Sequence, residues 1–321
     1  MYNNLKLALK GMLMGIAEVI PGVSGGTIAF ITGIYERLIN AIKSVDMAFV
    51  RHALKFKFKE GWAHIDGNFL AVLAAGMAIG IVTGVFGVTH LMENYPEELW
   101  GFFFGLIVAS AIYIGRQVKG WDSIKVLILI VGIAVSYGIT VISPAEGDDN
   151  LIYVFLSGVI AISALILPGI SGSFILLLLG MYTIVIPSVK QVLSFEFDAL
   201  PLVIVFALGC ALGLMTFSRV LSWLFQNYHE RTLAFLTGIM IGSLNKIWPW
   251  RNPETWLSEA GEVIQSGRVV EDAKLLVEQN VFPANYTLDD PNTLIVILCA
   301  IAGFAIVFVT DRLLGGKSSD Q

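Results

Sequence analysis

Long apolar runs separated by short polar segments dominate the 321-residue chain. About 20 consecutive apolar residues are needed to cross the hydrocarbon core of a bilayer as a helix, and six uninterrupted runs approach or exceed that length. They are residues 69–91, 99–115, 124–142, 201–225, 232–247 and 294–311. The pattern predicts an all-α polytopic membrane protein.

Two further apolar segments, residues 5–42 and 151–189, are interrupted by the motifs PGVSGGT and PGISGS. Non-helical backbone at membrane depth is tolerated only where it is buried in protein or lines a wet cavity. We therefore predict that each segment is a re-entrant helical hairpin with its motif at the tip. Pro21 and Pro168 end the first half-helix, and Ser24 and Ser171 are suited to cap the second.

The two motifs belong to an internal repeat. Aligning residues 11–35 with 158–182 gives nine identities, and residues 76–110 align with 209–243 in the same order. The second block includes an Asn-Tyr pair at 94–95 and at 227–228. Repeats with matching interrupted segments are common in secondary transporters, where those segments mark the binding site.

Each predicted repeat, residues 1–142 and 151–314, holds one hairpin and three spans, and an odd number of spans inverts the second repeat. Lysine and arginine placement supports this topology, since fourteen fall on the predicted cytoplasmic side and four outside. Both termini are then cytoplasmic. Residues 45–60 predict a helix lying on the inner leaflet, and residues 248–292 an outer insertion that is partly helical.

Composition agrees with a membrane protein and adds no catalytic chemistry. Hydrophobic residues make up 56% of the chain, charged residues 14%, and mean hydropathy is +0.78. The four histidines show no metal-ligand spacing, and both cysteines lie in apolar runs. We predict no cofactor, metal site or catalytic residue, and no nucleic-acid partner. The sequence leaves the oligomeric state open.

The hairpin tips are candidate anion sites, because unpaired N–H groups and the positive dipole end of a helix N-terminus attract phosphate. The candidate ligands are the motif residues Ser24, Gly25, Gly26, Thr27, Ser171, Gly172 and Ser173. The alternative is a glycine-rich helix-packing contact. The anion hypothesis predicts that valine at Gly25 or Gly172 abolishes transport, whereas Gly76→Ala, in the scaffold, has a mild effect.

Two charges inside apolar segments are further candidates. Glu18, three residues before Pro21, is either a proton carrier or an acceptor for backbone N–H groups at the hairpin tip. Arg219 replaces Phe86 of the first repeat. It can bind a lipid phosphate through its guanidinium, extend to the membrane surface, or neutralise Glu18. Neither charge has a counterpart in the other repeat.

The runs KGMLMGIAEVIPGVSGGTIAFITGIYE, WGFFFGLI and LPGISGSFILLLLGMY resemble the domain-of-unknown-function 368 family over nearly the whole chain. That family includes the PopT-type polyprenyl-phosphate translocases. The resemblance implies a flippase that returns undecaprenyl phosphate from the outer to the inner leaflet of the bacterial cytoplasmic membrane. Its motif positions correspond to Glu18, residues 21–27 and residues 168–173. Leu165 stands where the second repeat would match Glu18, so any carboxylate role is confined to the first.

Two other functions remain open at this stage. Half-helix N-termini bind any suitable anion, so a small-anion channel or secondary carrier is the main alternative. A membrane enzyme acting on lipid phosphates would need a nucleophile beside a base or clustered acids. Ser24 and Ser171 have no histidine nearby in sequence, which makes the enzyme the least favoured hypothesis.

Overall fold

A computed structural model describes residues 2–20, 22–142, 144–145, 147–258, 263–265 and 273–314. The described chain is mostly helical, which confirms the predicted polytopic helical class. Its α-helices are α1 (Tyr2–Val19), α2 (Gly25–Ile31), α3 (Tyr35–Lys43), α4 (Met47–Leu54), α5 (Phe58–His64), α6 (Gly67–Asn94), α7 (Pro96–Gly115), α8 (Ser123–Val141), α9 (Leu151–Ile166), α10 (Gly172–Leu178), α11 (Tyr182–Leu193), α12 (Leu200–Ser243) and α13 (Thr293–Leu314).

Five of the described helices, α6, α7, α8, α12 and α13, are long and apolar enough to cross a membrane. Helices α10 and α11 meet at 115°, as a broken span or a re-entrant segment would. The 44 residues of α12 exceed one crossing, and Tyr228 interrupts the helix with φ −139° and ψ 42°. Tyr95, its partner in the sequence repeat, joins α6 to α7 with φ −144° and ψ 53°. The same backbone joint therefore occurs in both halves.

Helix α1 packs directly against α6 along a row of glycines. A Cβ atom on Gly76 would overlap the carbonyl oxygen of Ala8, and one on Gly80 would overlap that of Met12. The pairs advance together along both helices, so α1 and α6 run in the same direction, and the chain between them returns to the end where α1 begins. Gly76 is thus a close-packing position, and the structure predicts that Gly76→Ala is disruptive where the sequence predicted a mild effect.

The second half repeats this contact at the aligned positions. A Cβ atom on Gly209 would overlap the carbonyl oxygen of Phe155, and one on Gly213 would lie 2.6 Å from that of Val159. Helix α9 therefore runs parallel to the first part of α12, as α1 does to α6. These close approaches explain why the repeat keeps glycine at four positions of the two long spans.

The last helices of the two halves are exchanged. Helix α7 packs against α13, and Gly105 contacts the backbone of Ala300 there. Helix α8 packs against the second part of α12, and Gly238 contacts the backbone of Leu129 there. A helix of each half thus pairs with the closing helix of the other half. Buried side chains of α2, α7 and the second part of α12 form the core between them.

The loops gather on two opposite faces of the helices. On one face, Arg37 bonds Asp66, Glu36 lies 3.2 Å from His229, and the Lys119 N–H donates to Glu230. The opposite face, here called the sheet face, comprises the described parts of residues 95–98, 141–147 and 245–292. Glu97 accepts a hydrogen bond from Tyr286 there.

Three antiparallel strands, β1 (Arg251–Ser258), β2 (Val263–Gln265) and β3 (Ala273–Asn280), form a small sheet in the order β2-β1-β3. The predicted helices of residues 248–292 are therefore wrong for these three segments, and the described helical structure there is one 3₁₀ turn, Pro283–Asn285. Short isolated helices are marginal in water, whereas β1 pairs along its whole length with β3 and closes the insertion on itself.

Residues 45–60 also differ from the prediction, because they form α4 and the start of α5 where one helix was expected. Asp46 caps α4 by accepting hydrogen bonds from the N–H groups of Ala48 and Phe49. Phe56 then adopts a left-handed φ of 55°, which ends the first helix. The position of this segment on the inner leaflet stays a prediction.

Candidate functional site

Residues 22–27 of the first motif form a tight, buried tip between α1 and α2. Gly22 has a φ of 84°, a conformation that favours glycine. Ser24 caps α2, since its Oγ accepts a hydrogen bond from the Gly26 N–H at 3.1 Å, as predicted. Every residue of α2 is buried. Pro21 lies outside the described residues.

Two charged side chains of α1 hold the two ends of α2. The Gly25 N–H donates to Glu18 Oε1 at 2.7 Å, and Lys10 Nζ donates to the carbonyl oxygen of Thr32 at 2.6 Å. A carboxylate at the N-terminus and an ammonium at the C-terminus both complement the helix dipole. Glu18 thus makes the structural contact that was one of its two predicted roles, and its proton-carrier role stays a prediction. In the sequence Lys10 is one of the fourteen cations predicted to be cytoplasmic, and no local pattern indicates this contact.

The two motifs meet inside the protein, where the first hairpin satisfies the end of α9. Ser24 Oγ donates to the carbonyl oxygen of Leu167 at 3.2 Å, and Tyr35 OH to that of Ile166 at 3.0 Å. In the other direction, the Gly169 N–H donates to Thr27 Oγ1 at 3.0 Å. Polar groups of Ser24 and Thr27 are therefore engaged in joining the two hairpins.

The second motif differs from the first in its hydrogen bonding. Ser171 does not cap α10 with its side chain, so that prediction is wrong. Its Oγ instead lies 2.8 Å from Ser173 Oγ. Where Thr27 reaches across from the first motif, the second repeat has Phe174, so the reciprocal bond cannot form. Gly169 nevertheless keeps a φ of 87°, matching Gly22.

Both motif glycines chosen as tests of anion binding are close-packing positions. A Cβ atom on Gly25 would lie 2.6 Å from Glu18 Oε1, and one on Gly172 would lie 2.8 Å from the carbonyl oxygen of Ala161. Valine at either position would collide with its own hairpin. Loss of transport in these variants would therefore not separate anion binding from the packing alternative.

Arg219 lies on α12 at a distance from the motif contacts. Its Nη1 donates to the carbonyl oxygen of Met215 at 2.7 Å, and its Nη2 to that of Val45 at 3.3 Å. One turn further on, Ser222 bonds Lys43 at 3.1 Å. These contacts anchor α12 to the connection between α3 and α4. A phosphate contact by Arg219 stays a prediction.

A cavity of about 450 Å³ opens on the sheet face above the second motif. Its lining combines apolar side chains of α8 and α10 with polar side chains that follow α12 and lie in the sheet. A separate, small recess lies next to it, and the two share Thr140, Phe174 and Lys246 in their walls. Gly22 and the segment 169–171 line that recess, so residues of both motifs lie beside the cavity.

Four charged residues line this cavity. Arg251 bonds Glu278 at 2.7 Å, and Lys246 Nζ lies 3.9 Å from the same carboxylate. The Arg251 guanidinium stacks over Trp100 at 4.8 Å, and Lys246 lies over the Phe174 ring at 5.0 Å. The fourth charge, Glu254, is exposed.

Sequence reasoning missed this cluster. Lys246 ends a predicted span, and only the insertion brings Arg251 and Glu278 beside it. A lysine two residues before Trp248 and four before Trp250 is the one signal that would have drawn attention to the position. Among the described residues, no group of three or more His, Cys, Asp or Glu side chains is placed to hold a metal ion. The arrangement is suited to binding an anionic amphiphile.

Comparisons with known proteins give consistent matches. The profile of the undecaprenyl phosphate translocase-like family (VCA0040-like) matches residues 14–264. The chain is similar to a polyprenyl-phosphate transporter of Vibrio cholerae serotype O1, with 41% identity over 313 residues that cover 97% of each chain. A polyprenyl-phosphate transporter of Staphylococcus aureus is 30% identical over 257 residues, 75% of this chain and 85% of the relative. No solved structure matches.

Proposed function

Because the chain belongs to the undecaprenyl phosphate translocase-like family, we propose that it carries undecaprenyl phosphate from the outer to the inner leaflet of the bacterial cytoplasmic membrane. Family and relatives make it a multi-pass polyprenyl-phosphate translocase. The direction, the specific lipid and the route are the proposal. A transporter binds and moves its lipid without making or breaking covalent bonds. A cavity suited to binding an anion is sufficient for that function.

The proposed architecture is an inverted repeat with both termini cytoplasmic. Parallel packing of α1 with α6, and of α9 with α12, supports re-entrant hairpins, because each hairpin then begins and ends on one side. Six spans divide evenly between the halves once α12 is counted as two helices separated at Tyr228. With three spans in the first half, the second hairpin would enter from the opposite side of the membrane.

One observation carries the proposed route. Gly22 and residues 169–171 line the small recess beside the cavity that opens on the sheet face. The sheet face contains the long insertion predicted to be extracytoplasmic, so a lipid phosphate from the outer leaflet would reach both motifs through this opening. Ser171 is the motif side chain best suited to meet it, because among the described residues its hydroxyl bonds only Ser173 and no backbone cap depends on it.

Arg219 and Glu18 take different parts in this proposal. Arg219 faces the connection between α3 and α4, which is cytoplasmic in the proposed topology, so it would meet the phosphate only near release. Glu18 contacts the tip of the first hairpin and would couple a proton to movement of that tip. Membrane lipids surround the exposed faces of α6 and α8.

The test is translocation in reconstituted vesicles containing undecaprenyl phosphate. Without transport, a phosphatase added outside reaches only the outer leaflet, whereas an active translocase makes the inner pool accessible as well. Ser171→Ala should slow this exposure several-fold at an unchanged unfolding temperature. Ser188→Ala is the matched control, since Ser188 is also buried and bonds only Ile184 within α11. A parent protein that leaves half the lipid protected would refute the proposal.

A further inference from the structure

We propose that the cavity on the sheet face is the outer-leaflet binding site for the phosphate group of the polyprenyl lipid, with Lys246 as its main ligand. This inference rests on the proposed function, because it names where the transported lipid is first bound. The ligand class is a phosphomonoester with a long apolar chain.

Lys246 and Arg251 differ in how firmly they are held. Arg251 is 12% exposed, stacks on Trp100 and bonds Glu278 at 2.7 Å, so its position is fixed from two sides. Lys246 is 31% exposed and shares the same carboxylate only at 3.9 Å. Two cations thus compete for the one partly exposed carboxylate of Glu278. Lys246 is the cation left free to turn towards a ligand.

The cluster is not electrostatically satisfied. Burial lowers the pKa of Lys246, the Arg251 charge lowers it further, and Glu278 only partly opposes them. Arg251 Nε is buried and has no hydrogen-bond acceptor among the described residues. Glu254, the remaining charge on the wall, is exposed to solvent, where its field is screened. An added dianion would therefore gain from both cations.

The apolar part of the wall identifies the ligand as a lipid. Tyr137, Val141 and Ile142, at the end of α8, line the cavity and are exposed. Leu177 and Leu178 of α10 line the opposite part. A lipid could therefore place its phosphate at Lys246 while its chain leaves between α8 and α10 into the bilayer. Free inorganic phosphate would leave these apolar side chains without a partner.

The same lysine connects this cavity to the motifs. Lys246 lines both the cavity and the recess that contains Gly22 and Ser171. A flexible four-carbon side chain with a single charge can follow a phosphate over a short distance. Lys246 is therefore placed to pass the phosphate towards the hairpin tips, and Arg251, held by Trp100 and Glu278, to define the starting position.

The experiment measures equilibrium binding of undecaprenyl phosphate, undecaprenol and inorganic phosphate to the purified full chain in nanodiscs. Lys246→Gln should weaken undecaprenyl phosphate binding roughly tenfold or more, as expected for loss of a charged hydrogen bond. Binding of undecaprenol should not change. Lys190→Gln is the matched control, because it removes the same charge from an exposed position on α11. It should leave all affinities unchanged.

For a second variant, Glu278→Gln, we expect the affinity for undecaprenyl phosphate to change in the opposite direction. Glu278→Gln removes the carboxylate that competes with the lipid phosphate, so binding of undecaprenyl phosphate should become several-fold tighter. A purely structural cluster predicts weaker binding for Glu278→Gln as well as for Lys246→Gln. The unfolding temperature of each variant is measured in parallel, so that loss of folded protein is recognised.

The binding results distinguish failure of the binding-site inference from failure of the proposed function. Unchanged affinity in Lys246→Gln, with the parent binding undecaprenyl phosphate, overturns the inference and leaves the proposed function standing. A parent protein that neither binds nor translocates this lipid refutes the proposed function itself. Equal affinity of the parent for inorganic phosphate and for undecaprenyl phosphate would make the cavity a free-anion site, which also overturns the inference.

Discussion

Alanine at Gly76 tests whether α1 and α6 touch through their backbones, the contact that makes the first hairpin return to its starting side. A Cβ atom at this position would overlap the carbonyl oxygen of Ala8. That oxygen belongs to the backbone of α1 and cannot rotate away, so the two helices must separate. Gly87, on the same helix, has no atom within 4 Å of an added Cβ and is the matched control.

The expected magnitude follows from two opposing terms. Replacing a helical glycine with alanine stabilises a helix by about 1 kcal/mol, and both variants gain this. Overpacking a close contact costs about 1–3 kcal/mol, and the upper part of that range applies at Gly76 because the obstructing atoms are backbone. The two variants should therefore differ by about 2–3 kcal/mol in free energy of unfolding. Gly87→Ala should be at least as stable as the parent.

Thermal unfolding of the purified variants in one detergent should give midpoints several degrees apart, with Gly76→Ala the lower. Gly209→Ala should behave as Gly76→Ala does, because an added Cβ there would overlap the carbonyl oxygen of Phe155. Equal midpoints for Gly76→Ala and Gly87→Ala would refute the close parallel packing. The structural argument for a re-entrant first hairpin would then be lost.

Three further predictions concern topology and the intramembrane charges. Cysteines introduced at Lys57 and Asp148 should be labelled from opposite faces of the cell, and labelling from one face would contradict the inverted repeat. Glu18→Gln should cost about 1 kcal/mol of stability, because its bond to Gly25 N–H loses its charge. It should also abolish any pH dependence of transport, so persistent dependence would assign the proton elsewhere. Arg219→Ala should weaken undecaprenyl phosphate binding, whereas unchanged affinity would make Arg219 a helix anchor only.

Much of the architecture could be predicted from the sequence because the membrane restricts backbone so strongly. Continuous apolar runs predict helices, since unpaired backbone groups are costly in lipid. The repeat aligned Gly76 with Gly209 and Tyr95 with Tyr228, and the structure gives each pair the same packing or backbone joint. Ser24 was placed correctly as a cap because capping depends on residues two positions away.

The errors fall where the outcome depends on distant contacts. Ser171 has the same local sequence signal as Ser24, but Ser24 also bonds the distant carbonyl oxygen of Leu167, whereas Ser171 bonds its neighbour Ser173. The sheet in residues 248–292 forms through pairing of β1 with β3, a contact that helical periodicity does not encode. Gly76 was expected to tolerate alanine because sequence alone does not reveal that Ala8 lies against it.

The sequence by itself determined that this protein lies in a membrane, that it is built from a repeat, and that two of its apolar segments are interrupted. Each of these depends on local apolarity or on identities between aligned residues. Only the tertiary structure decided which charges meet. Glu18 and Lys10 hold the ends of α2, while Lys246 joins Arg251 and Glu278 beside the motifs. Electrostatic partners are chosen by distance in space, and the fold brings residues 246 and 278 together across an insertion whose pairing no local pattern specifies.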